Sequence, residues 1–283
     1  MSFSMCVLGS GSGGNCTLLQ FQEKSRTRFA LIDCGLSMRE TKRRLAPMGI
    51  ELSDIDDILL THLDFDHFSP PWANNLEKFD ITLHIHHRHR ARALQNGVQG
   101  RRLELFNGEF QLGESTAVET VHFAHDNLGT VGFLIEHDEM RLGFATDLGH
   151  VPDSIFDHFR GLHALAFESN YDRQMQVNSP RPAFLKRRIM GGSGHLSNVQ
   201  SFDTVQRIAA DSNLSHIVLL HLSRDCNNPK LINRQYAECA PDLLDRLTIT
   251  SQCEPTPMLN VHRLGAKGLP IEPRSGKQLA MFD

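Results

Sequence analysis

The strand-like segment Ile55 to Leu60 runs straight into Thr61-His62-Leu63-Asp64-Phe65-Asp66-His67, which sets four potential metal ligands within six residues. A strand end followed by a tight turn aims alternating side chains at one point, and an adjoining Asp-His pair can reach a second point beside it. An isolated His-x-Asp pair is more often a solvated loop, but donors at this density read as a ligand loop at the mouth of a cleft.

More donors stand at the ends of other apolar segments. His125-Asp126 follows Val118 to Ala124, Asp147 follows Leu142 to Thr146, and His221 follows Ile217 to Leu220. Strand ends that deliver His and Asp into one cleft are the design of a layered α/β metallohydrolase. The ordered series Gly9-Ser10-Gly11-Ser12-Gly13-Gly14-Asn15, Leu31-Ile32-Asp33-Cys34-Gly35-Leu36-Ser37, Thr146-Asp147-Leu148-Gly149-His150, Glu168-Ser169-Asn170-Tyr171-Asp172, Gly194-His195-Leu196-Ser197-Asn198 and His221-Leu222-Ser223 extends the pattern, with Asn227-Asn228-Pro229 after it. Together these motifs resemble the metallo-β-lactamase superfamily, in its YycJ/WalJ-type branch. They run in order from about residue 5 to residue 230. The superfamily's usual first motif is His-x-His-x-Asp-His, and Asp64 stands here in place of its second His.

The resemblance implies an α/β fold, the metallo-β-lactamase αβ/βα sandwich, with the metal cleft at one edge of the sheets. It implies two divalent ions, Mn or Zn with Fe or Mg possible. One would be held by His62, Asp64 and His125, the other by Asp66, His67 and His221, with Asp147 bridging. His122, three residues before His125, is an alternative ligand on the residues alone. A carboxylate at position 64 adds charge and hard oxygen character, which favours Mn²⁺, Fe²⁺ or Mg²⁺ over Zn²⁺, or else leaves that position empty. The implied activity is metal-assisted hydrolysis of a phosphodiester, a DNA exonuclease with 5′ polarity, in which Asp66 orients the nucleophile. Glu168 and the Gly194-His195 pair occur in the order seen in RNase Z-like nucleases, and a His held by a carboxylate can serve as general acid. A small-molecule phosphodiesterase or lactone hydrolase, and a scaffold with a decayed metal site, are the alternatives.

Composition fits one enzyme domain, residues 1–265. A chain of 283 residues with 40% hydrophobic content can bury a sizeable core. No apolar stretch approaches the roughly 18 residues that span a membrane, and no basic segment leads into a secretory core, so a cytoplasmic location without membrane contact is expected. Cysteines 6, 16, 34, 226, 239 and 253 show no Cys-x-x-Cys spacing and are read as reduced. From residue 266 the chain turns polar and ends Gln278-Leu279-Ala280-Met281-Phe282-Asp283. Apolar side chains on such a tail suggest a docking peptide, and Gln278, Leu279, Met281 and Phe282 resemble the bacterial sliding-clamp-binding motif Gln-Leu-x-Leu-Phe.

The net charge of −4 argues against a generally basic nucleic-acid binder, so local basic runs carry the substrate reading. Runs occur at Arg39 to Arg44, Arg88 to Arg92 with Arg101-Arg102, and Lys186-Arg187-Arg188. The last adjoins Gly194-His195, and Lys186, Arg187, Arg188, Ser197 and Asn198 are the expected substrate contacts. The glycine-rich segment lacks the Lys-Ser/Thr of a phosphate loop and reads as a tight turn near the cleft. Strands are expected around 3–8, 17–22, 28–33, 55–60, 81–85, 163–168 and 215–220, with several more across 103–147. Helices are expected from an N-cap at Ser37 through Arg44, from Pro70 to about Lys78, across a histidine-rich basic segment, near 153–160, twice across 181–211, and near 229–246.

Overall fold

The computed structural model describes residues 2–265, so Gln278, Leu279, Met281 and Phe282 lie outside the described residues. Two seven-stranded sheets pack face to face. Strands β1 (Phe3–Gly9), β2 (Cys16–Gln22), β3 (Thr27–Ile32), β4 (Ile55–Leu60), β5 (Thr82–His86) and β6 (Leu103–Phe106) build the first. The second contains β7 (Glu109–Leu112), β8 (Thr116–Phe123), β9 (Thr130–His137), β10 (Met140–Ala145), β11 (Ala164–Glu168), β12 (His216–Leu220) and β13 (Leu247–Ile249). The final strand, β14 (Leu259–Asn260), returns to pair with β1.

Alternation along the strands sorts their side chains into layers. In the first sheet Leu31, Ile58 and Leu60 face an outer core shared with Trp72 and Leu45, while Ala30, Ile32 and Leu59 face the other sheet. In the second, Ala166, Val218 and Leu220 meet them in the middle, and Leu165, Phe167, Ile217 and Leu219 turn outward. Those outward residues pack against Phe202 and Val205 of α6 (Asn198–Ala210) and Tyr236 of α7 (Pro229–Cys239). The result is a helix–sheet–sheet–helix sandwich with both faces of each sheet covered.

Strand direction decides where a site can form. β3, β4, β5 and β6 are mutually parallel, as are β10, β11, β12 and β13. β8 points the same way as β10, because each is antiparallel to β9. The carboxyl ends of β3, β4, β8, β10, β11 and β12 therefore gather along one edge, as the sequence reading anticipated.

Several expected elements differ. Ser37 caps α1 (Met38–Leu45) by accepting from Glu40 N at 3.2 Å, as expected. The segment 229–246 is broken, however, because Pro241 lacks an N–H and drives Ala240 out of helical geometry (φ −151°, ψ 62°) before a second, short helix, Pro241–Leu244. Only a 3₁₀ turn, Pro70–Trp72, forms where a helix to Lys78 was expected. The histidines do not ride on a helix: His84 and His86 belong to β5, His87–His89 is a 3₁₀ turn, and α2 is Arg90–Gln95. A further short helix, Arg173–Asn178, was not anticipated, nor were β13 and β14. Among the described residues no helix is long and apolar enough to cross a membrane.

Candidate metal centre

Construction of the centre starts at Asp33, which ends β3 in the left-handed region (φ 61°) and is 1% exposed. One carboxylate oxygen accepts from Thr61 N at 2.9 Å and from Thr61 Oγ1 at 3.0 Å, tying the end of β3 to the start of the ligand loop. Its other oxygen lies 2.7 Å from His67 Nδ1. The loop closes as a tight turn in which His67 N and Phe68 N both donate to Asp64 O at 2.8 Å. Asn15, from the glycine-rich turn, clamps it from outside by donating through N and Nδ2 to Asp66 O at 2.7 and 3.1 Å. The backbone passes so close at Gly35 that a Cβ there would collide with the Asp66 carbonyl, so position 35 must be glycine.

The ring nitrogens are held by this frame. His125 Nδ1–H donates to Gly194 O at 3.1 Å. Thr61 Oγ1 gives its proton to Asp33 and so accepts from His62 Nδ1–H at 2.9 Å. With His67 Nδ1 committed to Asp33, three imidazoles turn Nε2 toward the cleft. Such outer partners are what orient histidine ligands of metals.

Donor atoms then converge in two groups. His62, Asp64 and His125 offer atoms within 4.8 Å of one another, and so do Asp66, His67 and His221. Asp147, 1% exposed and also left-handed (φ 57°), sits between them. Its Oδ2 is 2.7 Å from His67 Nε2 and 3.1 Å from His221 Nδ1, the latter without hydrogen-bonding geometry. Burial alone would protonate Asp147, but the imidazoles of His221 and His67 outweigh it and hold its carboxyl well below the usual carboxylate range. Burial likewise opposes charge on His67, and Asp147, Asp33 and Asp66 reverse that, raising its pKa well above the ordinary histidine value. At His62 the balance is reversed: burial, then the neighbouring His67, lower its pKa well below the ordinary histidine value against the opposing pull of Asp147. A buried set of imidazole nitrogens and carboxylate oxygens, with an unbonded nitrogen aimed at a carboxylate, is the environment a divalent cation satisfies, and these residues fit one.

The two remaining expected catalytic residues meet directly. Glu168 ends β11 fully buried, accepts from Leu148 N at 2.7 Å, and lies 2.7 Å from His195 Nδ1. His195 Nδ1 is also 3.2 Å from Asp147 Oδ1. Burial works against its charge, yet Glu168 and Asp147 raise its pKa to about 10.

The substrate residues divide. Arg188 of α5 (Ala183–Ile189) lines the cleft of about 320 Å³ and pairs with Asp126 at 2.6 Å. Lys186 turns away to donate to Val177 O at 2.6 Å, and Arg187 is exposed outside the cleft lining. Ser197 is occupied as the N-cap of α6, and Asn198 is buried in a network with Ser169 and Asn227. Neither lines the cleft, because polar groups at a helix start are taken by the backbone and interior first. His122 pairs with His86, Nε2 to Nε2 at 2.7 Å, away from the donor groups. Sequence reasoning gave no role to Asp33, Asn15, Arg181 or Arg92. Arg181 lines the cleft, and Arg92 meets Asp64 Oδ1 at 2.9 Å, balancing the carboxylate that replaces the superfamily's histidine. The available signal was position: Asp33 closes an apolar strand just as the expected ligand residues do.

A protein-family profile described as Beta-lactamase superfamily domain matches residues 28–221. The chain belongs to this superfamily. Similar proteins include an Exodeoxyribonuclease YycJ of Bacillus anthracis, 27% identical over 234 residues that cover 82% of this chain and 86% of the relative. An Exodeoxyribonuclease WalJ of Streptococcus pneumoniae is 25% identical over 237 residues, with the same coverages of 82% and 86%. Among solved structures, Zn²⁺-bound PqqB from Methylobacterium extorquens aligns with a TM-score of 0.63 at 16% identity, covering 89% of this chain and 99% of that one.

Asp33→Asn tests the frame, since it keeps the shape but removes the charge that holds His67. Metal affinity, measured by competition with a chromogenic chelator, should fall about 10- to 100-fold, with the fold retained by circular dichroism. Unchanged affinity would mean that Asp33 does not set the His67 ligand.

Proposed function

We propose that this chain is a metal-dependent phosphodiester hydrolase and, within that class, a DNA exonuclease with 5′ polarity that acts in replication or repair. The observation that carries the reading is the Glu168–His195 pair beside Asp147, set against two groups of metal donors in one cleft. A carboxylate-held imidazole next to such donors suits an ester whose leaving alkoxide needs a proton. The names of the YycJ and WalJ relatives support DNA as the substrate.

His62, Asp64 and His125 would hold one divalent cation and Asp66, His67 and His221 a second, with Asp147 shared. When bound, such cations supply Lewis acidity and lower the pKa of water. Asp66, 26% exposed at its side chain, faces the cleft and can accept a proton from the attacking water. His195, its Nδ1–H directed at Glu168, carries the proton that the leaving oxygen takes up. Arg188 and Arg181, both in the cleft wall and paired with Asp126 and Asp225, would share their guanidinium groups with phosphates entering from solvent. Arg92 keeps the pair it forms with Asp64 close to neutral, so the carboxylate need not raise the charge of the donor set.

Metal-stripped protein should be incubated with end-labelled linear single-stranded and duplex DNA, adding Mn²⁺, Mg²⁺ or Zn²⁺ separately. Stepwise loss from the 5′ end is expected, absent in the Asp66→Ala/His67→Ala control, and Glu168→Gln should lower kcat by about 10²- to 10⁴-fold with metal content retained. Hydrolysis of small phosphodiesters but not DNA would replace the nuclease reading, and absence of bound metal would replace catalysis with a scaffold role.

The reading extends to recruitment, supported by the sequence of residues 278–283 alone. A peptide ending in Gln278-Leu279-Ala280-Met281-Phe282-Asp283 should bind a bacterial sliding clamp in a calorimetric titration, and a Leu279→Ala/Phe282→Ala peptide should not. Equal behaviour of the two peptides would remove the clamp from the proposal.

A further inference from the structure

Two aromatic side chains stand out against the rest of the surface. Among the described residues the phenylalanines in the exposed class are Phe65, 81% exposed, and Phe184, 68% exposed, and each is next in sequence to a residue that lines the cleft. Phe65 leaves the ligand loop between Asp64 and Asp66, which each line the cleft. That turn is fixed by the paired bonds to Asp64 O and by Asn15 on Asp66 O, so the backbone that carries the exposed ring is held in place. Phe184 leaves α5 next to Leu185 and one turn from Arg188, two further cleft residues. One ring thus leaves the ligand loop and the other leaves α5, the two segments that contribute Asp64, Asp66, Leu185 and Arg188 to the cleft.

A protein or membrane partner would call for a contiguous apolar patch. Here each ring stands among charged residues instead, Asp64 and Asp66 beside Phe65 and Arg188 one turn from Phe184. Single strands are bound by that combination: aromatic faces take the bases, whatever their sequence, and guanidinium groups take the phosphates. We propose that Phe65 and Phe184 are stacking platforms for unpaired nucleobases on either side of the scissile phosphate, so that this cleft takes single-stranded DNA or a frayed duplex end. The inference rests on the nuclease reading and adds to it the form of the substrate and two positioning residues. Bases inside a duplex are already stacked on one another and have no free face to offer.

The test compares wild type with Phe65→Ala/Phe184→Ala and Phe65→Trp/Phe184→Trp. Each acts on a single-stranded oligonucleotide and on the same strand with abasic residues at its labelled end. The alanine pair should raise KM on the normal strand roughly tenfold or more while kcat stays within about twofold, and the tryptophan pair should keep the low KM. Removing the bases should cost wild type about as much as removing the rings, and should cost the alanine pair nothing further, because the two changes delete one interaction. An unchanged KM in the alanine pair, or an equal cost of base removal in both proteins, would overturn the stacking role while leaving the nuclease intact. Wild type that neither cleaves nor binds DNA would overturn both.

Discussion

The buried carboxylate of Asp147 is the interaction on which this molecule turns. It projects from the end of β10 in the second sheet, meets His67 of the first sheet's ligand loop, and touches His195 and His221 from its own half. A carboxylate taken so far out of water costs several kcal/mol unless positive charge and hydrogen bonds offset it. The cluster of imidazoles supplies part of that offset, and divalent cations would supply the rest. The two halves of the sandwich are consequently joined at their common edge by the same group that is proposed to be shared between the cations.

Backbone geometry at that edge is specialised. Asp33, Asp126, Asp147 and His221 all adopt positive φ, which side-chain-bearing residues rarely do, and each follows or ends a strand at the cleft. Left-handed residues turn the chain sharply at the strand ends; Asp126, Asp147 and His221 line the cleft, while Asp33 stays behind it and braces Thr61 and His67. Strain of this kind, of order 1 to 3 kcal/mol per residue, persists only where the surroundings fix it, and it concentrates at functional sites. The flanking strands, buried on both faces, provide that fixation. Around the ligand loop the approach is tight enough for Gly35 to be obligatory, and His221 N is held by Ser10 Oγ at 2.8 Å.

Much of this arrangement was legible in the sequence because the candidate donors obey a simple rule: a polar donor ends an apolar strand. That rule found His62, His67, His125, Asp147 and His221, and the strand boundaries around them. It could not separate donors that point into the cleft from carboxylates that brace them, so Asp33 passed without a role although it follows the same pattern. Arg92 and Arg181 were hidden because long side chains reach across the fold from places that sequence order does not bring together. Ser197 and Asn198 looked like substrate contacts from their proximity to His195, yet the start of α6 and the interior polar network had prior need of them. Pro241 was a visible helix breaker that a periodicity reading across 229–246 overran.

Central to the proposed chemistry is that two cations share Asp147. Crystals of the wild-type protein grown with Mn²⁺, with anomalous diffraction recorded near the manganese edge, test this without reliance on activity. Two anomalous peaks are expected, one among His62, Asp64 and His125 and one among Asp66, His67 and His221, each in contact with Asp147. A single peak, or none in the cleft, would contradict the two-cation site and with it the role assigned to Asp147.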